Sequence, residues 1–154
     1  MSDSTWTWVS GSNNSDNLHG VYGDQGVPDI NNVPGARSGA NGWCDGITKE
    51  FWIFGGHGYD FAEDTAPYND LWRFNMNDST WTWISGSDAP THRGYGDQQG
   101  ETSSDFMPSA RERAVGGFDN NTREFWLFSG ETSFGMRFVV FYAQPNTSLK
   151  FVMR

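Results

Sequence analysis

One cysteine, Cys44, occurs in 154 residues, so no intrachain disulfide can form, and no C-x-x-C pair of the kind that grips zinc is present. Lysine is nearly as scarce. Two lysines and eight arginines stand against 19 acidic residues, a formal net charge of -9. A protein that tracks phosphates needs a basic face, so this balance excludes a nucleic-acid binder. No run approaches the ~18 apolar residues of a membrane-spanning helix. Charged residues reach only 19% and hydrophobic ones 36%, both below the usual globular share. No segment keeps a helical period, no G-x-S-x-G nucleophile turn occurs, and no glycine-rich phosphate loop leads into a helix.

What the chain does have is glycine and aromatic surface: 19 glycines, eight tryptophans and 16% aromatic residues. Aromatic surface on that scale drives burial and argues against disorder. It is also repeated. Thr5-Trp6-Thr7-Trp8-Val9-Ser10-Gly11-Ser12 returns as Thr80-Trp81-Thr82-Trp83-Ile84-Ser85-Gly86-Ser87 at an offset of 75. Tyr22-Gly23-Asp24-Gln25 returns at Tyr95 with an offset of 73, and Ala36-Arg37 as Ala110-Arg111 at 74. Glu50-Phe51-Trp52-Ile53-Phe54-Gly55-Gly56 returns, also at 74, as Glu124-Phe125-Trp126-Leu127-Phe128-Ser129-Gly130. Matched blocks in one order mean that the chain holds about two copies of one unit.

Each block reads as a strand. Residues 80–84 alternate β-branched and aromatic side chains at period two. Residues 51–54 form a short apolar run, too short for a helix, that suits a strand buried on both faces and ended by a Gly55-Gly56 turn. In residues 70–74, Leu71 and Arg73 share one face while Trp72 and Phe74 share the other. A weaker strand is expected from about Gly39 to Trp43. The expected fold class is all-β.

In that order, Ala36-Arg37, Ile53-Phe54-Gly55-Gly56, Asn69-Asp70-Leu71-Trp72-Arg73-Phe74 and Thr80-Trp81-Thr82-Trp83 resemble a kelch repeat, one four-stranded blade of a β-propeller. The resemblance covers residues 36–87 fully and 3–12 and 108–130 in part. It implies one complete blade at 36–87, an orphan outer strand at 3–12 and a divergent second blade at 108–154. The divergent blade lacks an Asn-Asp-Leu-Trp block, and strands at 138–142 and 149–153 are expected to replace it. Arg37, Gly55, Gly56, Asp70, Trp72, Trp81, Trp83, Arg111 and Trp126 are then blade-packing residues, with Arg37 expected to pair with Asp70.

A propeller closes with about four to eight blades, so two blades leave apolar faces uncovered. Three arrangements would cover them: a longer propeller of which this chain is a fragment, a homo-oligomer, or a complex with other subunits. The leading expectation is therefore a non-catalytic protein-interaction or assembly module, and the alternative is a carbohydrate-binding module of a secreted kelch protein. A galactose-oxidase-like copper enzyme is the third reading. Its residue types are present in Cys44, His19, His57, His92 and five tyrosines, but Phe118 answers Cys44 in the second copy, so Cys44 reads as a small buried hydrophobe. No enzyme activity and no cofactor are expected.

Candidate contacts lie in loops. The connections 11–35 and 86–109 share Tyr22 and Asp24 with Tyr95 and Asp97, which suit a partner or a sugar but equally suit turn chemistry with tyrosine packed on the blade. Loop 57–69 holds Tyr59 and Asp60 as further candidates. Its Asp60, Glu63 and Asp64 are the calcium candidates, although their spacing fits no EF-hand and reads as a solvated acidic loop. No basic and apolar leader segment opens the sequence, which places the chain in the cytoplasm if it is complete and outside the cell if it belongs to a secreted kelch protein. Four N-x-S/T sites, at Asn13, Asn77, Asn120 and Asn146, weakly favour the second setting.

Overall fold

Period-two alternation and β-branched content produce strands throughout the computed structural model, which describes residues 5–13, 19–60, 64–90, 102–103, 107–133, 140–143 and 151–153. The described residues include ten strands and no helix, so the all-β class holds. The strands are β1 (Arg37–Ser38), β2 (Asn41–Asp45), β3 (Glu50–Tyr59), β4 (Thr65–Asn75), β5 (Thr80–Ser85), β6 (Thr102–Ser103), β7 (Val115–Asp119), β8 (Glu124–Phe128), β9 (Val140–Ala143) and β10 (Phe151–Met153).

They form two antiparallel sheets. In the first, β3 pairs with β4 and β4 with β5, while β1 and β2 follow one another along the free side of β3. In the second the order is β6-β10-β9-β8-β7. The divergent C-terminal stretch therefore repeats the four-strand meander of the first unit. Its strands lie at 140–143 and 151–153, and residues 138–139 and 149–150 fall outside the described ones.

Two boundaries differ from the sequence reading. The strand expected from Gly39 to Trp43 is β2, shifted to 41–45 and preceded by the two-residue β1, because Gly39 turns between them with φ of 65° and its carbonyl accepts the Arg113 N–H at 2.8 Å. The apolar run does not end at Gly55-Gly56 either. β3 continues to Tyr59 through a bulge between Phe54 and Gly56.

The core lies between the sheets. Trp43, Trp52, Phe54 and Leu71 from the first meet Phe125 and Leu127 from the second. Phe125 is gripped by Trp43 at 5.1 Å, Trp52 at 5.0 Å and its own neighbour Phe118 at 5.0 Å between ring centroids. Backbone bonds from the lead-in to β7 seal the contact: Gly56 N–H to the Arg111 carbonyl at 2.9 Å and Arg111 N–H to the Tyr68 carbonyl at 2.9 Å. An ion pair between Arg123 and Asp45 closes one end, and His57 Nδ1 faces Glu112 at 2.8 Å nearer the other.

Each unit also covers its own outer edge. The carbonyls of Trp83 and Trp81 accept N–H donors from Gly26 at 2.8 Å and Asp29 at 3.2 Å. In the second unit Ser103 and Thr102 pair with Phe151 and Val152. Asp29 and Ser103 are 74 positions apart, so the lead-in loop of each unit lies at the same place beside its fourth strand. A covered edge cannot recruit a foreign strand.

Candidate functional site

The first unit is locked by a buried carboxylate. Asp70 is fully buried and accepts both Arg37 nitrogens at 2.6 and 2.8 Å, the Trp72 indole N–H at 2.7 Å and the Tyr22 hydroxyl at 2.7 Å. Burial opposes the Arg37 charge, but Asp70 outweighs it and holds the guanidinium pKa above its ordinary range. Burial first, and then the Asp70 charge, drive the Tyr22 hydroxyl far above the usual tyrosine range. The Tyr22 ring lies 4.8 Å from Trp72 and 5.1 Å from Trp83. Tyr22 is thus part of the packing of the first sheet. Arg111 repeats the Arg37 geometry, donating to the carbonyls of Ser109 and Ser129 as Arg37 does to those of Gly35 and Gly55.

The other loop candidates are dispersed. Asp24 sits on an exposed turn, and its carbonyl takes the Val27 N–H at 3.1 Å. Tyr59 ends β3, and its carbonyl accepts the Tyr68 hydroxyl at 2.8 Å. The Asp60 carboxylate caps the Asp64 N–H at 3.0 Å. Glu63, Tyr95 and Asp97 lie outside the described residues, which hold no cluster of three potential metal ligands. Cys44 is a correction: it is exposed, because it alternates with Trp43 and Asp45 and so projects from the face of β2 opposite the core.

What the chain presents outward is two aromatic sheet faces. On the first sheet, Phe51, Ile53, Phe74, Trp81 and Trp83 face away from the core and are only partly buried, while Trp72 on the same face is fully buried beneath Tyr22. On the second sheet, Trp126 is half-buried, and Phe128 and Val115 are 43% and 69% exposed. Trp126 borders an open hollow of about 540 Å³ shared with Gly117, Asp119, Asn120 and Asn121. Residues 5–13 add to the exposed aromatic surface: Trp6 is fully exposed and Trp8 is 62% exposed.

That segment already has the local shape of the end of β5. The Trp8 indole N–H bonds to the Ser10 carbonyl at 2.9 Å, as Trp83 does to Ser85 at 3.0 Å. Gly11 and Gly86 share φ values of 98° and 92°. Yet residues 5–9 join no strand ladder among the described residues.

Sequence reasoning missed the inter-sheet ion pair, although its signal is in the repeat. Asp45 and Asp119 each open a turn, accepting N–H donors from Ile47 and Thr48 or from Asn121 and Thr122. The sequence matches no established family pattern and no curated protein. No helix among the described residues is long and apolar enough to cross a membrane.

Proposed function

We propose that the chain is a kelch-type propeller segment that works, without catalysis, as a protein-interaction or assembly module. One observation carries this reading. Trp52 and Phe54 are 2% and 1% exposed where the two sheets meet, whereas their repeat mates Trp126 and Phe128 face outward. Residues that are core in one copy of the unit are surface in the other. An aromatic face of that kind marks an interaction site in a folded protein. Because each lead-in loop covers its fourth strand, partners are recruited through sheet faces.

The test is dye binding combined with molar mass. The purified chain is expected to bind ANS when dilute and to lose that signal when it associates. A folded monomer that binds no ANS at any concentration refutes the proposal.

A glycan remains the alternative ligand because the hollow beside Trp126 sets an indole among Asp119, Asn120 and Asn121, the pairing of a flat apolar ring with polar groups that sugars require. A glycan array that is blank, or hits that survive Trp126→Ala, would remove it.

A further inference from the structure

The inter-sheet contact inside the chain has two different halves, and the repeat carries each half to the opposite outer face. Trp52 and Phe54 form one half, and their mates at 74 positions further on, Trp126 and Phe128, lie on the outer face of the second sheet. Phe125 and Leu127 form the other half. Their mates Phe51 and Ile53 lie on the outer face of the first sheet. The charges follow the same rule. Asp45 pairs with Arg123 across the internal contact. Asp119 repeats Asp45, with the same turn bonds, and Lys49 repeats Arg123, with φ of 61° against 59°.

We infer that a second copy of this chain docks head-to-tail, the outer face of its first sheet on the outer face of the second sheet, so that Lys49 of the second copy meets Asp119 of the first. This rests on the assembly reading above and names the partner. The aromatic and aliphatic mates of both halves lie, partly exposed, on the two outer faces, and the rim charges are opposite in sign. A heterologous contact of this kind closes into a ring or runs on as a filament.

Three positions set its strength and shape. Gly117 stands where Trp43 stands in the internal contact, and the hollow beside Trp126 is the space that tryptophan would fill. Ser129 stands where Gly55 approaches the Arg111 carbonyl, so the sheets part slightly at that end. Residues 5–10 of the second copy, which touch that copy's own Trp81 through Ser10 at 3.3 Å, fall on the fourth-strand side of the first copy, where β10 already pairs with β9 and β6 covers β10, so they add no strand there. The copy-to-copy contact is accordingly weaker than the internal one.

Light scattering across a concentration series tests the proposal, because the variants push in opposite directions. Wild type is expected to pass from monomer to larger species as concentration rises. Gly117→Trp, at a position with φ outside the left-handed region and no atom within 4 Å of an added Cβ, is expected to lower the midpoint about tenfold or more by restoring an aromatic pair. Lys49→Glu, and Asp119→Asn, which keeps the turn acceptor, are each expected to raise it about two- to five-fold. Cys44, on the docking face, should be alkylated more slowly in the associated form. Unchanged midpoints in all three variants overturn the inference, as does a wild-type chain that stays monomeric. If that monomer binds ANS, the second copy is the wrong partner and the assembly reading survives. If it binds none, both fall.

Discussion

Asp70 is the residue on which the first unit depends, since it is buried with four hydrogen bonds donated by Arg37, Tyr22 and Trp72. Arg37→Ala would leave that charge buried without its cation, and chemical denaturation should show a loss of about 3–5 kcal/mol. Tyr22→Phe removes one neutral donor and should cost about 1 kcal/mol. The tyrosines also set an alkaline limit. Burial, then Asp70, push the Tyr68 hydroxyl up to about 12, against an ordinary value of about 10. Folding thus favours the protonated form, and the stability it contributes is whole below the unfolded value and lost as pH rises through the folded one. The melting temperature is expected to fall steeply between about pH 10 and 12, and Tyr68→Phe should flatten that fall. Asp45 acts at the acid end. Its burial is outweighed by hydrogen bonds from Thr48 and the backbone N–H groups of Ile47 and Thr48, so its pKa is depressed. The corresponding stability is present above the usual carboxylate range and lost as pH falls through the folded value.

Among the elements, β3 shows why a glycine pair sits inside a strand. Ser129 adopts φ of 60° where Gly55 has 62°, so the backbone angle alone does not demand glycine. The difference is space: a Cβ at Gly55 would meet the Arg111 carbonyl at 2.6 Å. Gly55→Ala should therefore destabilise by about 2 kcal/mol or more, from overpacking against backbone. Ser129→Gly should change stability by less than about 1 kcal/mol. Phe125→Ala empties the centre of the inter-sheet core and should cost about 3–5 kcal/mol in the same assay. The alternating strands were readable in the sequence because period two is a local property. The β1–β2 break and the β3 bulge were not, because the Arg113 and Arg111 backbones that impose them lie more than 50 positions away.

For the molecule as a whole, what matters is the imbalance between covered edges and only partly covered faces. Edges beside β5 and β10 are closed by each unit's own lead-in loop, while the outer faces keep Phe51, Trp126 and Phe128 within reach of solvent. Replacing Phe128 and Val115 together by serine removes apolar surface outside the inter-sheet core, so it should reduce ANS binding while lowering the unfolding free energy by about 1–2 kcal/mol at most. A fall in ANS signal accompanied by a large loss of stability would instead mean that these side chains serve the fold.

The sequence by itself determined the all-β class, the 74-residue unit, the alternation that assigns side chains to faces, and the Arg37 and Arg111 positions, because each is read from composition, local spacing or the recurrence of short blocks. It also carried the turn motif shared by Asp45 and Asp119. Only the tertiary structure decided which faces are covered. Trp52 and Trp126 follow the same Glu-Phe dipeptide, yet one is core and the other borders an open hollow. Likewise Tyr22, whose motif suited a ligand contact, turns inward because Asp70 and Trp72 wait for it 48 and 50 positions downstream. Burial is a property of what lies opposite a residue, and nothing local to these residues specifies that.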